Sequence, residues 1–134
     1  MSMLVAGKPQ LFVIDGGLEK LGIEWIHTGN AMSTDEISKL SELINLLSLR
    51  DYRLEVGRRT VEIISQIMPE KLTKQVDPAR IQHIADSGAV RADAFGILDY
   101  WSKRTIAGLL LMPATRHNLI HLNEAERIKS AIIN

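Results

Sequence analysis

The chain has no cysteine among its 134 residues. That absence excludes a disulfide framework, a thiol nucleophile, an iron–sulfur cluster and a cysteine-based zinc site. Long apolar runs are also missing: Ile106 to Met112 is far too short to span a bilayer, and the first residues lack the basic and apolar regions of a signal peptide. We therefore expect a cytoplasmic protein with no membrane partner.

Neither sign of charge predominates, because sixteen basic and sixteen acidic side chains give a net charge of zero. This balance argues against a protein that coats nucleic acid by bulk charge, so any polyanion site must be local. Residues 1–49 carry a charge of −3 and residues 50–134 a charge of +3. Internal repeats and flexible linkers are absent, and 46% of the residues are apolar. The length and composition predict one compact globular domain.

The N-terminal part predicts a strand followed by helices. Leu11 to Ile14 is a short β-type run that ends at an Asp-Gly-Gly turn. Ser33 and Glu36 have the spacing of a capping box, which predicts a helix from Ser33. Leu46 and Leu49 lie outside the main apolar face of this predicted helix. We therefore expect the helix to pack in a homodimer interface, which would cover those two side chains.

The next helix is predicted over Tyr52 to Met68, with Pro69 ending it. Leu54, Val61, Ile64 and Met68 share one face of this helix. Gly57 lies among them, and its missing side chain would let another helix approach closely.

The C-terminal part predicts two helices, a hairpin and a closing helix. Asp77 caps a short helix from Pro78 to about Ser87, and a longer amphipathic helix follows over Arg91 to Lys103. Ile106 to Met112 and Asn118 to Leu122 predict two strands joined by a polar, basic tip. A capping-box-like pair, Asn123 and Glu126, predicts the start of the last helix.

The segment Ala94-Phe95-Gly96-Ile97-Leu98-Asp99-Tyr100-Trp101-Ser102-Lys103-Arg104-Thr105-Ile106 resembles the recognition helix and wing entry of MarR-like regulators. Asn118 to Asn123 is similar to the return strand and the cap of the helix that follows it. The likeness covers roughly residues 77–134. It implies a winged helix-turn-helix fold and, with it, DNA binding or a protein-interaction role. Ala85 and Gly88 depart from that pattern because they are three residues apart rather than four.

The basic residues at the helix ends and the hairpin tip are the candidate phosphate contacts. The outward face of the second helix offers Ala92, Gly96 and Asp99, which are poor readers of base edges but suit a close protein contact. A continuous positive strip would favour DNA, and interruption by Asp93 or Asp99 would favour a protein. The predicted DNA-binding residues are Arg91, Lys103, Arg104, Arg116 and His117.

Other groups of polar residues in the sequence give little support for catalysis or metal binding. On an extended segment His117 and His121 would lie about 13 Å apart, too far for one ion. Asp15-Gly16-Gly17 is explained by turn chemistry, and no nucleotide-binding or hydrolase motif accompanies it. We therefore predict no catalytic residues, no metal and no cofactor.

Taken together, these patterns predict a helix-rich α+β protein. Residues 1–76 contribute a strand and two packing helices, residues 77–134 form a winged-helix-like unit, and both belong to one compact domain. The predicted function is a non-enzymatic, homodimeric regulator of transcription that binds double-stranded DNA. The alternative is a winged-helix module that binds a protein and no DNA.

Overall fold

The computed structural model describes residues 1–133, apart from the side chains of Pro113 and Ala114. This part of the chain is 69% helical and contains no strand, which overturns the predicted α+β winged helix. An isolated bridge between Gln75 and Thr105 is its only β-type pairing. Its α-helices are α1 (Gly17–Leu21), α2 (Thr34–Leu43), α3 (Leu46–Ser65), α4 (Pro78–Asp86), α5 (Gly96–Ser102), α6 (Ile106–Leu111) and α7 (His117–Ile133).

The predicted strand over Leu11 to Ile14 is wrong. Leu11–Val13 forms a 3₁₀ turn, closed by a bond from the Ile14 amide to the Leu11 carbonyl. A strand needs a partner for its backbone groups, and no other strand exists in residues 1–133. The turn instead places Phe12 in a buried position.

The predicted hairpin over residues 106–122 is also wrong. Ile106–Leu111 is helix α6, Met112–Arg116 forms a π-helical turn, and residues 118–122 lie inside α7. The Thr105 hydroxyl accepts a bond from the Gly108 amide and so caps the start of α6. Short apolar runs fit a buried helix as well as a strand, and here the cap and the leucines favour the helix. Without the hairpin there is no wing.

The capping box at Ser33 is confirmed. The Ser33 hydroxyl accepts from the Glu36 amide at 3.2 Å, and the Glu36 carboxylate accepts from the Ser33 amide at 2.8 Å. The helix ends at Leu43, earlier than predicted, because Ile44 is extended and the Asn45 side chain caps a new helix by accepting from the Ser48 amide. Leu46 and Leu49 therefore belong to α3 and not to the helix that begins at Ser33.

The helix after Asp77 is confirmed as α4, which Asp77 caps through the Ala79 amide at 2.9 Å. The single helix predicted over Arg91 to Lys103 is broken into a 3₁₀ turn, Ala92–Ala94, and the short helix α5. The break falls at Phe95, directly before Gly96, a residue that weakens helices because its backbone is flexible.

One apolar core joins the first residues to the middle of the chain. Ser2–Ala6 forms a π-helical turn that packs against α3 and α4, and the Arg80 guanidinium donates to the carbonyls of Leu4 and Val5. Leu109 of α6 is the most deeply buried core side chain, at 1% exposure. The core residues are Leu4, Val5, Ile63, Val76, Ile84, Ala89, Val90, Leu98 and Leu109.

Helix α7 is packed differently from the others. Every side chain from Leu119 to Ile133 is exposed, and the segment that α7 mainly contacts is the π-helical turn before it. Within residues 1–133 no helix has the length and apolar character needed to cross a membrane.

Candidate interaction surface

Helix α3 has two apolar faces, and the first of them is buried. Ile63 is 4% exposed and belongs to the core. The Tyr52 ring lies edge-on to Phe12, with the ring centroids 6.2 Å apart. Burial raises the pKa of the Tyr52 hydroxyl, because the charged phenolate is poorly solvated there. This face attaches α3 to the N-terminal segment and to α1.

The second apolar face of α3 is exposed. Its large apolar side chains are 42% to 75% accessible, and Arg50 lies among them. Leu47, Leu54 and Val61 follow one another at intervals of seven residues, the spacing of a helix that packs along another helix. We call this face the apolar stripe, and it consists of Leu46, Leu47, Leu54, Val61 and Ile64.

Gly57 lies on the apolar stripe, between Leu54 and Val61. A Cβ atom added to Gly57 would meet nothing within 4 Å, so the space beside it is open. The fold of one chain therefore gives no packing reason for a glycine at this position. A close approach by a second helix would give one, since a missing side chain lowers the distance between helix axes. Met68, which the sequence placed on the same face, follows the end of the helix.

Ion pairs flank the apolar stripe. Arg58 donates to Glu55 at 2.9 Å, and Arg59 approaches Glu62 at 3.4 Å. Lys8 lies 3.5 Å from the same Glu62 carboxylate. Because the charges compensate one another, the surface beside the stripe carries no large excess of one sign.

The predicted DNA contact at Arg91 is engaged within the chain. Its guanidinium donates to Glu36 at 2.7 Å and to both Asp93 oxygens at 2.9 and 3.1 Å. Asp93 and then Glu36 raise the pKa of Arg91, while the Ser33 amide and Arg91 lower the pKa of Glu36. Arg91 thus links the loop before α5 to the start of α2.

Two of the other predicted phosphate contacts also have partners within the chain. The Lys103 ammonium lies 2.6 Å from Asp99, and the Arg104 guanidinium stacks over the Tyr100 ring at 4.2 Å. Arg116 and His117 lie together at the start of α7, where no wing exists. Asp93 and Asp99 are thus paired with Arg91 and Lys103, two of the residues that a positive strip for DNA would need.

The residues predicted to contact a protein partner are all exposed. Ala92 belongs to the 3₁₀ turn, whereas Gly96 and Asp99 lie on α5. Phe95, which the sequence analysis did not single out, lies between them and is 47% exposed. This patch has one large exposed apolar side chain, Phe95, where the apolar stripe has five. The Lys103 ammonium donates a hydrogen bond to the Asp99 carboxylate.

A cavity of about 510 Å³ lies between the N-terminal segment and α3. Tyr52, Arg53, Arg59 and Trp101 are among its lining residues, and the Nε atom of Arg59 is buried there without a hydrogen-bond partner in the described part of the chain. The lining residues include no histidine, aspartate or glutamate.

The expected separation of His117 and His121 is corrected by the structure. Both residues lie on α7 one turn apart, so their Nε2 atoms are 2.8 Å from each other and their ring centroids 4.4 Å. The prediction of about 13 Å assumed strand geometry. The segment is a helix, so the geometric argument against a shared ligand no longer holds.

Comparison of the chain with protein-family models, curated proteins and solved structures finds no match.

Proposed function

We propose that this protein is a non-enzymatic helical interaction protein that works as a homodimer, with the apolar stripe of α3 packed against the same stripe of a second copy. The observation that carries this proposal is the exposure of five large apolar side chains along one helix face, with Arg50 as the one charged residue among them. Monomers rarely leave such a surface uncovered, because every exposed apolar side chain forgoes the free energy of burial.

The heptad spacing explains why a second copy fits. In an antiparallel pair of α3 helices, a twofold axis near residues 55 and 56 places Leu47 opposite Ile64 of the partner copy. The same axis places Leu54 opposite Gly57, so a large side chain meets a missing one. The same axis places Arg50 opposite Val61, where the aliphatic part of the arginine can pack on the valine while its guanidinium stays in water. The net charge of zero leaves no long-range repulsion between copies.

The free energy of apolar burial is comparable to the cost of assembly. Full burial of a valine, leucine or isoleucine contributes about 1.5–3 kcal/mol, so side chains that are 42% to 75% exposed retain about 1–2 kcal/mol each. Complete burial of five such residues in each of two copies would supply roughly 10–20 kcal/mol. Association costs about 4–15 kcal/mol in lost motion, so burial exceeds the cost over most of the two ranges but not where the smallest gain meets the largest cost.

Electrostatics favour a protein partner over DNA. Arg91 and Lys103, two of the predicted phosphate contacts, already have carboxylate partners in the chain. A phosphate would have to displace those carboxylates, and the net charge of zero supplies no general attraction to compensate.

Sedimentation velocity tests the proposal. The wild-type protein should sediment at twice the chain mass of 15.0 kDa at micromolar concentration, and Leu47→Glu should shift it to the single chain. Leu47 is 75% exposed, so the substitution removes no core contact. The matched control is Ile37→Glu on α2, a single apolar side chain that is 52% exposed and lies off the stripe, which should leave the dimer intact. A wild-type protein of 15.0 kDa at every concentration would contradict the proposal.

A further inference from the structure

Two histidines on α7 form a pair whose ring nitrogens converge. His117 and His121 are four residues apart, and a helix places such residues on one face, one turn apart. Their Nε2 atoms are separated by 2.8 Å, and both side chains are exposed to solvent. This geometry lies within a single helix and does not depend on how α7 packs against the rest of the chain.

A carboxylate sets the protonation of one ring. The Glu124 carboxylate lies 2.9 Å from Nδ1 of His121, and an ionised carboxylate only accepts hydrogen bonds. Nδ1 of His121 therefore carries the proton, and in the neutral ring the lone pair is on Nε2, which faces His117. A carboxylate that bonds the outer nitrogen in this way is the usual support for a histidine that binds a metal.

We propose that His117 and His121 form a binding site for a divalent transition-metal ion of the Zn²⁺, Ni²⁺ and Cu²⁺ class. The two Nε2 atoms are the ligands, and Glu124 orients His121 from the far side of its ring. Zinc–nitrogen bonds are about 2.0–2.1 Å, which at a tetrahedral angle require the two nitrogens to lie about 3.3 Å apart. The rings need to separate by about 0.5 Å from their present distance, a small rotation for exposed side chains. Nε2 of His117, which donates to Nε2 of His121 in the absence of an ion, must give up its proton, so the proton moves to Nδ1 of His117 as the ion binds.

The ligand set determines which ions bind. Imidazole nitrogen suits copper, nickel and zinc, whereas Mg²⁺ and Ca²⁺ prefer oxygen. No group of three or more histidine, aspartate or glutamate side chains in residues 1–133 is arranged to hold a metal, so water completes the coordination at the pair. An exposed site with two protein ligands is accessible to exchange, which is typical of reversible binding rather than of a structural metal.

The other two histidines provide an internal comparison. The Nδ1 atom of His27 accepts a bond from the Gly29 amide at 3.1 Å, and His83 is an exposed residue of α4. Neither is part of a histidine pair comparable to the one on α7. Substitution of His83 therefore controls for weak binding by any surface imidazole.

Isothermal titration of the full chain with ZnCl₂, NiCl₂ and CuCl₂ tests the site, with MgCl₂ as the ion that should not bind. We expect one ion per chain, with copper tightest. His117→Ala and His121→Ala should each weaken binding at least tenfold, because either change removes half of the chelate. Glu124→Gln should weaken binding by about tenfold without changing the stoichiometry. His83→Ala should bind as the wild type does.

A second measurement separates binding from misfolding. Circular dichroism should show unchanged helix content in all four variants, since the substituted side chains are exposed. Added Zn²⁺ should raise the unfolding temperature of the wild type and of His83→Ala, but not of His121→Ala, because an ion bound only by the folded helix stabilises it. Equal affinity in the wild type and His121→Ala, or binding abolished by His83→Ala, would overturn the proposal. The site does not involve α3, so its success or failure is independent of the dimer.

Discussion

Replacement of Leu54 by arginine should dissociate the dimer and leave the fold of each chain intact. Leu54 is 51% exposed and central to the apolar stripe, so its substitution in both copies removes about 2–3 kcal/mol of apolar burial. It also places two new positive charges across the twofold axis. At a separation of about 8 Å and an effective dielectric constant of about 20, their repulsion adds about 2 kcal/mol.

The combined loss of about 4–5 kcal/mol corresponds to a dimer dissociation constant raised roughly 10³-fold, measured by sedimentation equilibrium. Leucine and arginine have similar helix propensities, so the helical circular dichroism should not change. Leu54→Met, which keeps the volume and apolar character, should still dimerise. If Leu54→Arg sediments like the wild type, the stripe is not the interface and the reasoning from its exposure fails.

Three further results follow from the same structure. In the Leu54→Arg variant, which should be monomeric, Gly57→Ala should raise the free energy of unfolding by about 0.8–1 kcal/mol, as measured by urea denaturation. The new methyl group enters open space, and alanine favours the helix more than glycine does. Leu109→Ala should lower the free energy of unfolding by about 2–5 kcal/mol, since Leu109 is 1% exposed and its truncation leaves a cavity. A loss below about 1 kcal/mol would contradict the close packing of Leu109 in the core. The pKa of Glu36 is lowered in the fold, so its contribution to stability should be present above about pH 5 and lost as the pH falls below about 4. Unfolding temperatures across that range should depend less on pH in Glu36→Gln than in the wild type.

Helix starts that depend on a hydrogen bond between nearby residues could be predicted from the sequence. Contacts between segments that are distant in the sequence could not. The capping box at Ser33 and the Asp77 cap each depend on residues within a few positions, and both are confirmed. The run from Ile106 to Met112 is too short for its periodicity to separate helix from strand. The resemblance to a wing favoured the strand, whereas the Thr105 cap favours the helix that forms.

Which face of α3 is exposed could likewise not be predicted from the sequence. Sequence spacing placed Leu54, Val61 and Ile64 on one face of a helix with Gly57 among them, and the structure confirms that arrangement on α3. Spacing alone does not tell which of two apolar faces packs into the core. Here Ile63 is buried instead, a result that depends on the N-terminal segment packing against α3.

The position of that N-terminal segment has a consequence for synthesis of the protein. Leu4 and Val5 lie in the same core as Leu109, and Arg80 holds their carbonyls from 75 and 76 residues away. Leu4 and Val5 can therefore be fully buried only after the segment that carries Arg80 and Leu109 has been made. Contacts so distant in sequence form slowly, because a long loop has to close first. Until that loop closes, these apolar side chains are open to contacts with other unfolded chains.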